Sequence, residues 1–257
     1  MRTGRARRAQ RWFADEERRK ISTTFDDRET EPSRVLNAAI ALALAPEARR
    51  VLDVGCGGGE VLGSIRRLDA TLHLVGIDPV ESAVAEARRR FGADARATFA
   101  VAAAEDLEDL EHPVDLAVSH LNLGLWSDPL RGLTRVMSHL APGGVLFVVD
   151  VAEARTSADT EAFLALARTD DEREYLSDQL AAGFEPRQLE DLLHAAADEA
   201  RRKVDVHVGR GGLAGFAYDD ARAGELFAAS AVREALQAFS SGDSTANAVV
   251  SAVVNVR

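Results

Sequence analysis

Short apolar runs alternate with amphipathic stretches through the middle of the chain. The runs at 50–54, 72–77, 98–102, 115–119 and 145–150 have the length and composition of buried strands. The segments between most of them place apolar residues three and four positions apart, which is the period of a helix. Parallel strands require such crossovers because a hairpin cannot join them. The pattern therefore predicts a parallel sheet with helices on both faces.

Downstream of residue 150 the rhythm changes and helices dominate. Residues 157–201 are predicted to form two or three helices, and a strand at 204–208 follows. A helix over 219–239 then leads to a final strand at 248–256. Together with the five earlier strands, this predicts a doubly wound α/β fold whose mostly parallel sheet has seven strands.

No sequence repeat is visible, and no linker separates two parts of different composition. The chain is therefore divided by its order of predicted strands and helices alone. Residues 1–32 form an N-terminal basic and aromatic segment, and residues 33–257 form the main domain. Residues 153–203 interrupt the sheet as a helical insertion and are a candidate lid. A glycine-rich stretch at 209–215 is interpreted as a mobile loop at the rim of the site or as a turn into the next helix.

Charge is distributed unevenly along the chain. The first 20 residues hold eight basic and three acidic side chains, although the whole chain carries a net charge of −11. This basic segment is interpreted as a solubilising helical start, as a cap over a pocket that includes Trp12 and Phe25, or as a docking element for an acidic substrate. The acidic remainder disfavours a nucleic-acid partner, because such binding depends on phosphate contacts.

Composition narrows the class of protein further. With 257 residues, 46% of them apolar, the chain can bury a large core without disulfides or a structural metal. Its one cysteine, Cys56, cannot form an internal bridge, and the spacing of the six histidines predicts no metal site. No secretory leader or membrane-spanning run is recognised, so the expected compartment is the cytoplasm, with no membrane partner.

A glycine-rich loop follows the first strand, where open α/β sheets bind their ligands. A dinucleotide-binding fingerprint would need glycine where Glu60 stands, which disfavours an NAD-dependent oxidoreductase. A phosphate-binding loop would need a lysine, and none occurs between residues 21 and 202. The chain instead has Asp53 at the strand end, with glycines two, four and six positions later. Glycine lets the backbone approach a ligand closely.

A second acidic position follows the second strand. Asp78, followed by Pro79, lies 25 residues after Asp53. Its two carboxylate oxygens can accept hydrogen bonds from both hydroxyls of a ribose. A pair of carboxylates beside a bare loop suits a cofactor that carries positive charge and no phosphate.

Together, these features resemble motif I and the next acidic position of the class I S-adenosylmethionine-dependent methyltransferases, in their small-molecule, type-11-like branch. The resemblance covers residues 50–150 and implies a Rossmann-like fold with S-adenosylmethionine (SAM) as cofactor. The cofactor-binding residues that it implies are Asp53, Gly55, Gly57, Gly59, Asp78, Pro79 and, at the end of the fourth strand, Ser119.

The chain departs from the family pattern after the third strand. Where family members carry an aspartate for the adenine amino group, this chain has Ala103. The resemblance then leaves adenine to backbone amides near Ala104 or to the carboxylates of Glu105 and Asp106. Either carboxylate can equally be part of an acidic turn.

The acceptor side is predicted from the segment after the fourth strand, which resembles the part of the small-molecule branch that lines cofactor and acceptor. His120 is a candidate base or orienting group, or a histidine satisfied by backbone or ribose, and Asn122 is a candidate for orienting an acceptor. Trp126 is either a pocket wall or ordinary core, and Tyr175 of the insertion can likewise line the pocket or pack its own helix.

The resemblance implies a SAM-dependent methyltransferase. We expect it to act on an N or O nucleophile of a small metabolite or short peptide, in specialised metabolism. An alternative of another class is a protein of the same fold that binds the cofactor, has lost catalysis and acts as a partner or regulator. The acceptor atom and the oligomeric state do not follow from the sequence.

Overall fold

The computed structural model describes residues 10–13, 16–107, 110–210, 220–242 and 248–257. Two predictions fall partly outside this range. Four of the eight basic residues of the N-terminal segment lie within residues 1–9, and most of the glycine-rich stretch lies within residues 211–219.

From the first strand to the fifth a helix separates successive strands, except between the third and the fourth, where the described residues form only a short turn at Ala104–Asp106. The helices are α1 (Glu16–Glu29), α2 (Glu31–Leu44), α3 (Glu60–Leu68), α4 (Glu81–Phe91), α5 (Pro129–His139), α6 (Ser157–Leu164), α7 (Asp170–Ala182), α8 (Pro186–Glu199), α9 (Asp220–Ala228) and α10 (Ser230–Gly242). The strands are β1 (Arg50–Val54), β2 (His73–Asp78), β3 (Ala97–Val101), β4 (Val114–His120), β5 (Leu140–Val151), β6 (Val204–Arg210) and β7 (Val249–Val256).

The seven strands form one sheet in the order β3-β2-β1-β4-β5-β7-β6. The first five strands of the chain are parallel, and β7 runs antiparallel to both β5 and β6. This confirms the predicted doubly wound, mostly parallel sheet of seven strands. The strand order reverses between β1 and β4, and this reversal opens a crevice at the carboxyl ends of the strands.

Apolar clusters on both faces explain why the central strands have nearly continuous apolar sequences. On one face, α2, α3, α9 and α10 pack on the sheet through residues such as Ile40, Leu62 and Val232. On the other face, α5 and α8 pack through residues such as Leu133 and Leu189. The sheet is thus held rigidly beneath the crevice.

A third apolar cluster lies apart from both faces and joins the N-terminal segment to α6 and α7. Its buried members are Trp12, Phe25, Leu164, Tyr175 and Leu176. We call this cluster and the polar contacts around it the roof. The predicted lid spans 153–203. Within that span, α8 packs on the sheet, because its residues Leu189 and Leu193 are fully buried in the main core.

One strand and one helical segment differ from their predictions. Strand β5 begins at Leu140 instead of 145, because Leu140 pairs with Val114 ahead of an irregularity in the register. The helix predicted over 219–239 is two helices, α9 and α10, which meet at Ala229. Within the described ranges, no helix combines the length and the apolar composition needed to cross a membrane.

Candidate functional site

The glycine loop after β1 has a backbone that other residues would adopt only under strain. Gly55, Gly57 and Gly59 have φ angles of +77°, +54° and +81°, in the left-handed region that glycine adopts at low cost. The amides of Gly55 and Cys56 donate to the carbonyl oxygen of Ile77 at 2.8 and 2.9 Å. These bonds tie the start of the loop to the end of β2.

Asn122 lies directly against this loop. A Cβ built on Gly55 would be 2.6 Å from the Asn122 Cγ. The Asn122 amide donates to the carbonyls of Gly55 (3.4 Å) and His120 (3.1 Å), and its oxygen accepts from the Ser119 hydroxyl (3.1 Å) and the Trp126 indole (2.9 Å). Asn122 therefore joins the glycine loop to the turn after β4. Its predicted contact with an acceptor stays a prediction.

Asp78 holds the other side of the loop from the end of β2. One carboxylate oxygen accepts from the amide of Gly57 at 3.0 Å, and the other accepts from the amide of Val80 at 2.8 Å. The pKa of Asp78 is raised overall, mainly because burial raises it, although these two amide bonds lower it. Pro79 is the exposed residue that follows. Asp78 is thus placed where the sequence predicted a ribose ligand, although that role stays a prediction.

Asp53 is the most deeply buried acid of the site. It is 1% exposed, and within the described residues its Oδ2 has no hydrogen-bond partner. Burial, together with the nearby carboxylates of Glu60 and Asp78, raises the pKa of Asp53 to about 8. A buried carboxyl beside two others, with one oxygen that has no partner among the described residues, fits a positively charged ligand.

The two acids proposed for adenine lie in a short turn at Ala104–Asp106. One oxygen of Glu105 accepts from the amide of Asp128 at 2.9 Å, and Asp106 accepts from the Arg131 guanidinium at 3.1 Å. Both carboxylates therefore have partners around the start of α5, and adenine binding by either stays a prediction.

His120 ends β4 at the crevice. Burial lowers its pKa to about 3, and the positive charge of Arg34 acts in the same direction. Its Nε2 lies 3.4 Å from the hydroxyl of Ser33. The imidazole is therefore neutral at physiological pH, the form that can accept a proton. Its predicted role as a base remains a prediction.

The roof brings three of the four predicted pocket residues together. The ring of Tyr175 meets Trp12 and Phe25 edge-on, with ring centroids 5.6 and 5.8 Å away. Its hydroxyl lies 3.2 Å from the Asp26 carboxylate, to which it donates. Burial and the charge of Asp26 raise the pKa of Tyr175. The fourth residue, Trp126, packs in the main core instead.

Polar contacts fix the roof across long separations in sequence. The Trp12 indole donates to Asp178 at 2.9 Å, and Arg28 forms a two-pronged pair with Glu172 at 2.8 and 3.0 Å. Arg11 adds a bond to Asp178 at 2.9 Å. These contacts hold the N-terminal segment against α7. The two-pronged geometry of the Arg28–Glu172 pair restricts the orientation of the two side chains more than a single bond would.

Gln179 is a candidate functional residue that the sequence analysis missed. It is 8% exposed, and its Nε2 has no partner among the described residues. It lies on the buried face of α7 together with Tyr175, Leu176 and Ala182. The available signal was a polar residue at helical spacing within an apolar stripe, because buried polar groups normally have partners.

We expect Gln179→Leu to stabilise the ligand-free protein. The substitution removes a buried amide donor that has no partner and keeps a similar volume, so the gain should be about 1–2 kcal/mol. Urea unfolding measures it. The exposed Gln188 of α8 provides the control, since Gln188→Leu should change the unfolding free energy by less than about 0.5 kcal/mol. A loss of stability in Gln179→Leu would show that the amide has a partner.

No group of three or more histidine, cysteine or acidic side chains within the described ranges could hold a metal ion. Cys56 is buried inside the loop, and burial, together with nearby carboxylates, raises the pKa of its thiol. A thiol kept protonated is a poor nucleophile, so Cys56 packs the loop.

The known proteins that this chain resembles in sequence are methyltransferases. A family model described as "Methyltransferase domain" matches residues 51–144. A trans-aconitate 2-methyltransferase of Methylobacterium radiotolerans is 30% identical over 191 residues, which cover 72% of this chain and 69% of the relative. Another, of Variovorax paradoxus, is 32% identical over 124 residues, or 48% of this chain and 46% of that one. The chain spans about half the length of the Variovorax relative.

Solved structures resemble the whole chain. The plantazolicin methyltransferase BamL, in complex with a triazolic desmethylPZN analog and SAH (S-adenosylhomocysteine), has a TM-score of 0.83 at 24% identity, and the match covers 99% of this chain and 96% of that one. The plantazolicin methyltransferase BpumL in complex with SAH has a TM-score of 0.80 at 22% identity, over 99% and 96%. At these identities the likeness shows the fold alone.

Proposed function

The chain belongs to the class I S-adenosylmethionine-dependent methyltransferases, and from this premise we propose that it methylates an N or O nucleophile of a small metabolite or short peptide. One observation carries the proposal: the buried, unpartnered carboxyl of Asp53 lies beside a glycine loop that Asp78 holds open. That cradle combines buried carboxyl groups, of which Asp53 can ionise when a cation binds, with close backbone approach, and both suit a cationic, phosphate-free cofactor.

When bound, SAM supplies a methyl group on a positively charged sulfur, which a nucleophile attacks in line. The residues of this chain hold the reactants and exclude water, and such alignment accounts for a large part of the acceleration in bimolecular reactions. In this proposal Asp78 and Asp53 face the positive charge. The N-terminal segment spans the crevice, because Gln10 donates to the Leu125 carbonyl after β4 and Arg19 donates to Ser82 after β2. The neutral imidazole of His120 can accept a hydrogen bond from a nucleophile that carries a proton, but its low pKa makes it a weak base.

The names of the relatives support the proposed class of acceptor. The Variovorax and Methylobacterium relatives are named for trans-aconitate, a small metabolite, and the BamL structure holds a desmethylPZN analog. The roof of this chain is built from packed aromatic side chains around Tyr175, and in this proposal its inner side offers apolar contacts to the acceptor. These points favour a small or short acceptor over a macromolecule.

The test combines binding with methyl transfer. Isothermal titration calorimetry should show that SAH binds the purified chain. Tritiated SAM should then label an acceptor in a panel of tricarboxylates, hydroxylated aromatics and short peptides with free amino termini. Absence of SAH binding would overturn the proposal. Tight SAH binding without any labelled product would favour the alternative of a cofactor-binding partner or regulator.

We expect Asp78→Ala to weaken SAH binding by about 10- to 100-fold, the size of one to two bonds to a charged group. The substitution removes the carboxylate that holds Gly57 and removes the proposed ribose ligand. Titration calorimetry measures the loss. Asp205→Ala is the matched control, because Asp205 is an exposed acid on β6 paired with Arg257. Equal affinity in the two variants would remove Asp78 from the site.

A further inference from the structure

The outer side of the glycine loop is held by an arginine from α4. The guanidinium of Arg90 donates from Nε to the carbonyl of Gly58 and from Nη2 to a carboxylate oxygen of Glu60, both at 2.7 Å. One planar side chain therefore binds a loop carbonyl and the first side chain of α3 together. Such a two-pronged contact restricts orientation more than a single bond does.

The end of α4 is packed against the loop at a second point. A Cβ built on Gly59 would lie 3.0 Å from the Phe91 ring and 3.3 Å from the Ala87 Cβ. Arg90 is in the last turn of α4, where a positive side chain is also favoured by the helix dipole. The loop thus lies between Asn122 on its inner side, at Gly55, and α4 on its outer side.

Glu60 gives this contact an electrostatic role. The charge of Glu60 raises the pKa of both Asp53 and Asp78, so all three carboxyl groups are close. A Cβ built on Gly58 would lie 2.5 Å from one Glu60 oxygen, which places that carboxylate directly over the loop. Arg90 pairs with it there, and the pair leaves Asp53 and Asp78 as the acids that face the cradle.

We propose that Arg90 is a positioning residue for the cofactor, acting through the Gly58 carbonyl and the Glu60 carboxylate. The proposal rests on the proposed function, because the loop that Arg90 fixes is the one assigned to SAM. Three left-handed glycines leave the loop conformationally free in the absence of outside contacts. A loop that must be ordered on binding binds more weakly than one already ordered.

The test is the affinity of Arg90→Ala for SAH by titration calorimetry. We expect the dissociation constant to rise about tenfold, which corresponds to one lost hydrogen bond to a charged group. Arg90→Lys keeps the charge but cannot form both bonds at once, so its affinity should be intermediate. Arg89→Ala is the matched control, since the neighbouring Arg89 is exposed and bonds to Glu86 within α4. Its affinity should equal that of the wild type.

Melting temperatures separate positioning from a merely structural role. If Arg90 only supported the fold, Arg90→Ala would melt earlier but bind SAH like Arg89→Ala at temperatures where both are folded. That result would overturn the inference, and if Arg90→Ala does not fold, the same comparison of Arg90→Lys with Arg89→Ala decides it. Failure of the wild-type chain to bind SAH would instead overturn the proposed function, and this inference with it.

Discussion

Replacing Gly55 by alanine is expected to weaken SAH binding by more than about 100-fold, beyond the loss from any single hydrogen bond. Gly55 has a φ of +77°, and an added Cβ would lie 2.6 Å from the Asn122 Cγ, closer than non-bonded carbons approach. Either the loop or Asn122 must move. Asn122 is not free to move cheaply, because Ser119 and Trp126 both donate to its oxygen.

A matched variant separates this clash from backbone strain. Gly92 also has a positive φ, +54°, but a Cβ built there meets nothing within 4 Å. Gly92 has a ψ of −119°, which only glycine adopts readily at this φ. Gly92→Ala should therefore cost about 1–3 kcal/mol of backbone strain and leave SAH affinity unchanged. Combining Gly55→Ala with Asn122→Ala removes the obstructing side chain and should recover part of the affinity. Wild-type affinity in Gly55→Ala would contradict the described packing of Asn122 on the loop.

The sheet can be predicted from sequence because the residues of each strand and each crossover helix indicate that element by themselves. An apolar run such as 50–54 followed by glycines and an amphipathic helix indicates a parallel strand and a crossover without reference to distant residues. The acids at the ends of β1 and β2 follow from the same reasoning, because carboxyl ends of neighbouring parallel strands meet at one edge. The sequence therefore predicts that Asp53 and Asp78 both lie at the crevice.

The remaining parts of the site depend on contacts between distant segments. Asn122 touches Gly55 across 67 positions, and Trp12 reaches Asp178 across 166. No periodic pattern specifies such pairs, since they follow from how the turn after β4 and the N-terminal segment pack. For the same reason the sequence does not distinguish Arg90 from a solvated arginine. The helical spacing of Gln179 among apolar residues indicates burial, but it does not indicate that the amide has no partner among the described residues. The sequence predicts α8 as part of the lid, because an apolar stripe on a helix does not show which surface the helix packs on.

The second large effect concerns the pH dependence of stability and arises from Asp53. Its folded pKa is about 8, whereas an aspartate in an unfolded chain has a pKa of about 4. Between these values the folded chain retains a proton that the unfolded chain has released. Stability of the ligand-free protein should therefore be highest near pH 4 for this group and fall as pH rises toward 8, by up to about 1.4 kcal/mol per pH unit.

Urea unfolding of the wild type and Asp53→Asn at several values between pH 5 and 8 isolates this contribution. The asparagine side chain has the same shape and cannot titrate, so the variant should lack the decline and exceed the wild type in stability at pH 8. Asp205→Asn serves as the control. Arg257 holds the pKa of Asp205 below its usual value, so its effect falls below about pH 4. Parallel pH profiles for wild type and Asp53→Asn would show that Asp53 is ionised in the folded chain.

The same proton links cofactor binding to pH. A cation placed beside Asp53 favours the ionised carboxylate and lowers its pKa, so SAM binding below pH 8 must release a proton. Affinity for SAM should then increase from pH 6 to pH 8, and calorimetric binding enthalpies should differ between phosphate and Tris buffers in proportion to the protons released. Asp53→Asn should bind SAM more weakly and lose most of the buffer dependence. A wild-type enthalpy independent of buffer would mean that the charge of the cofactor is balanced by groups other than Asp53.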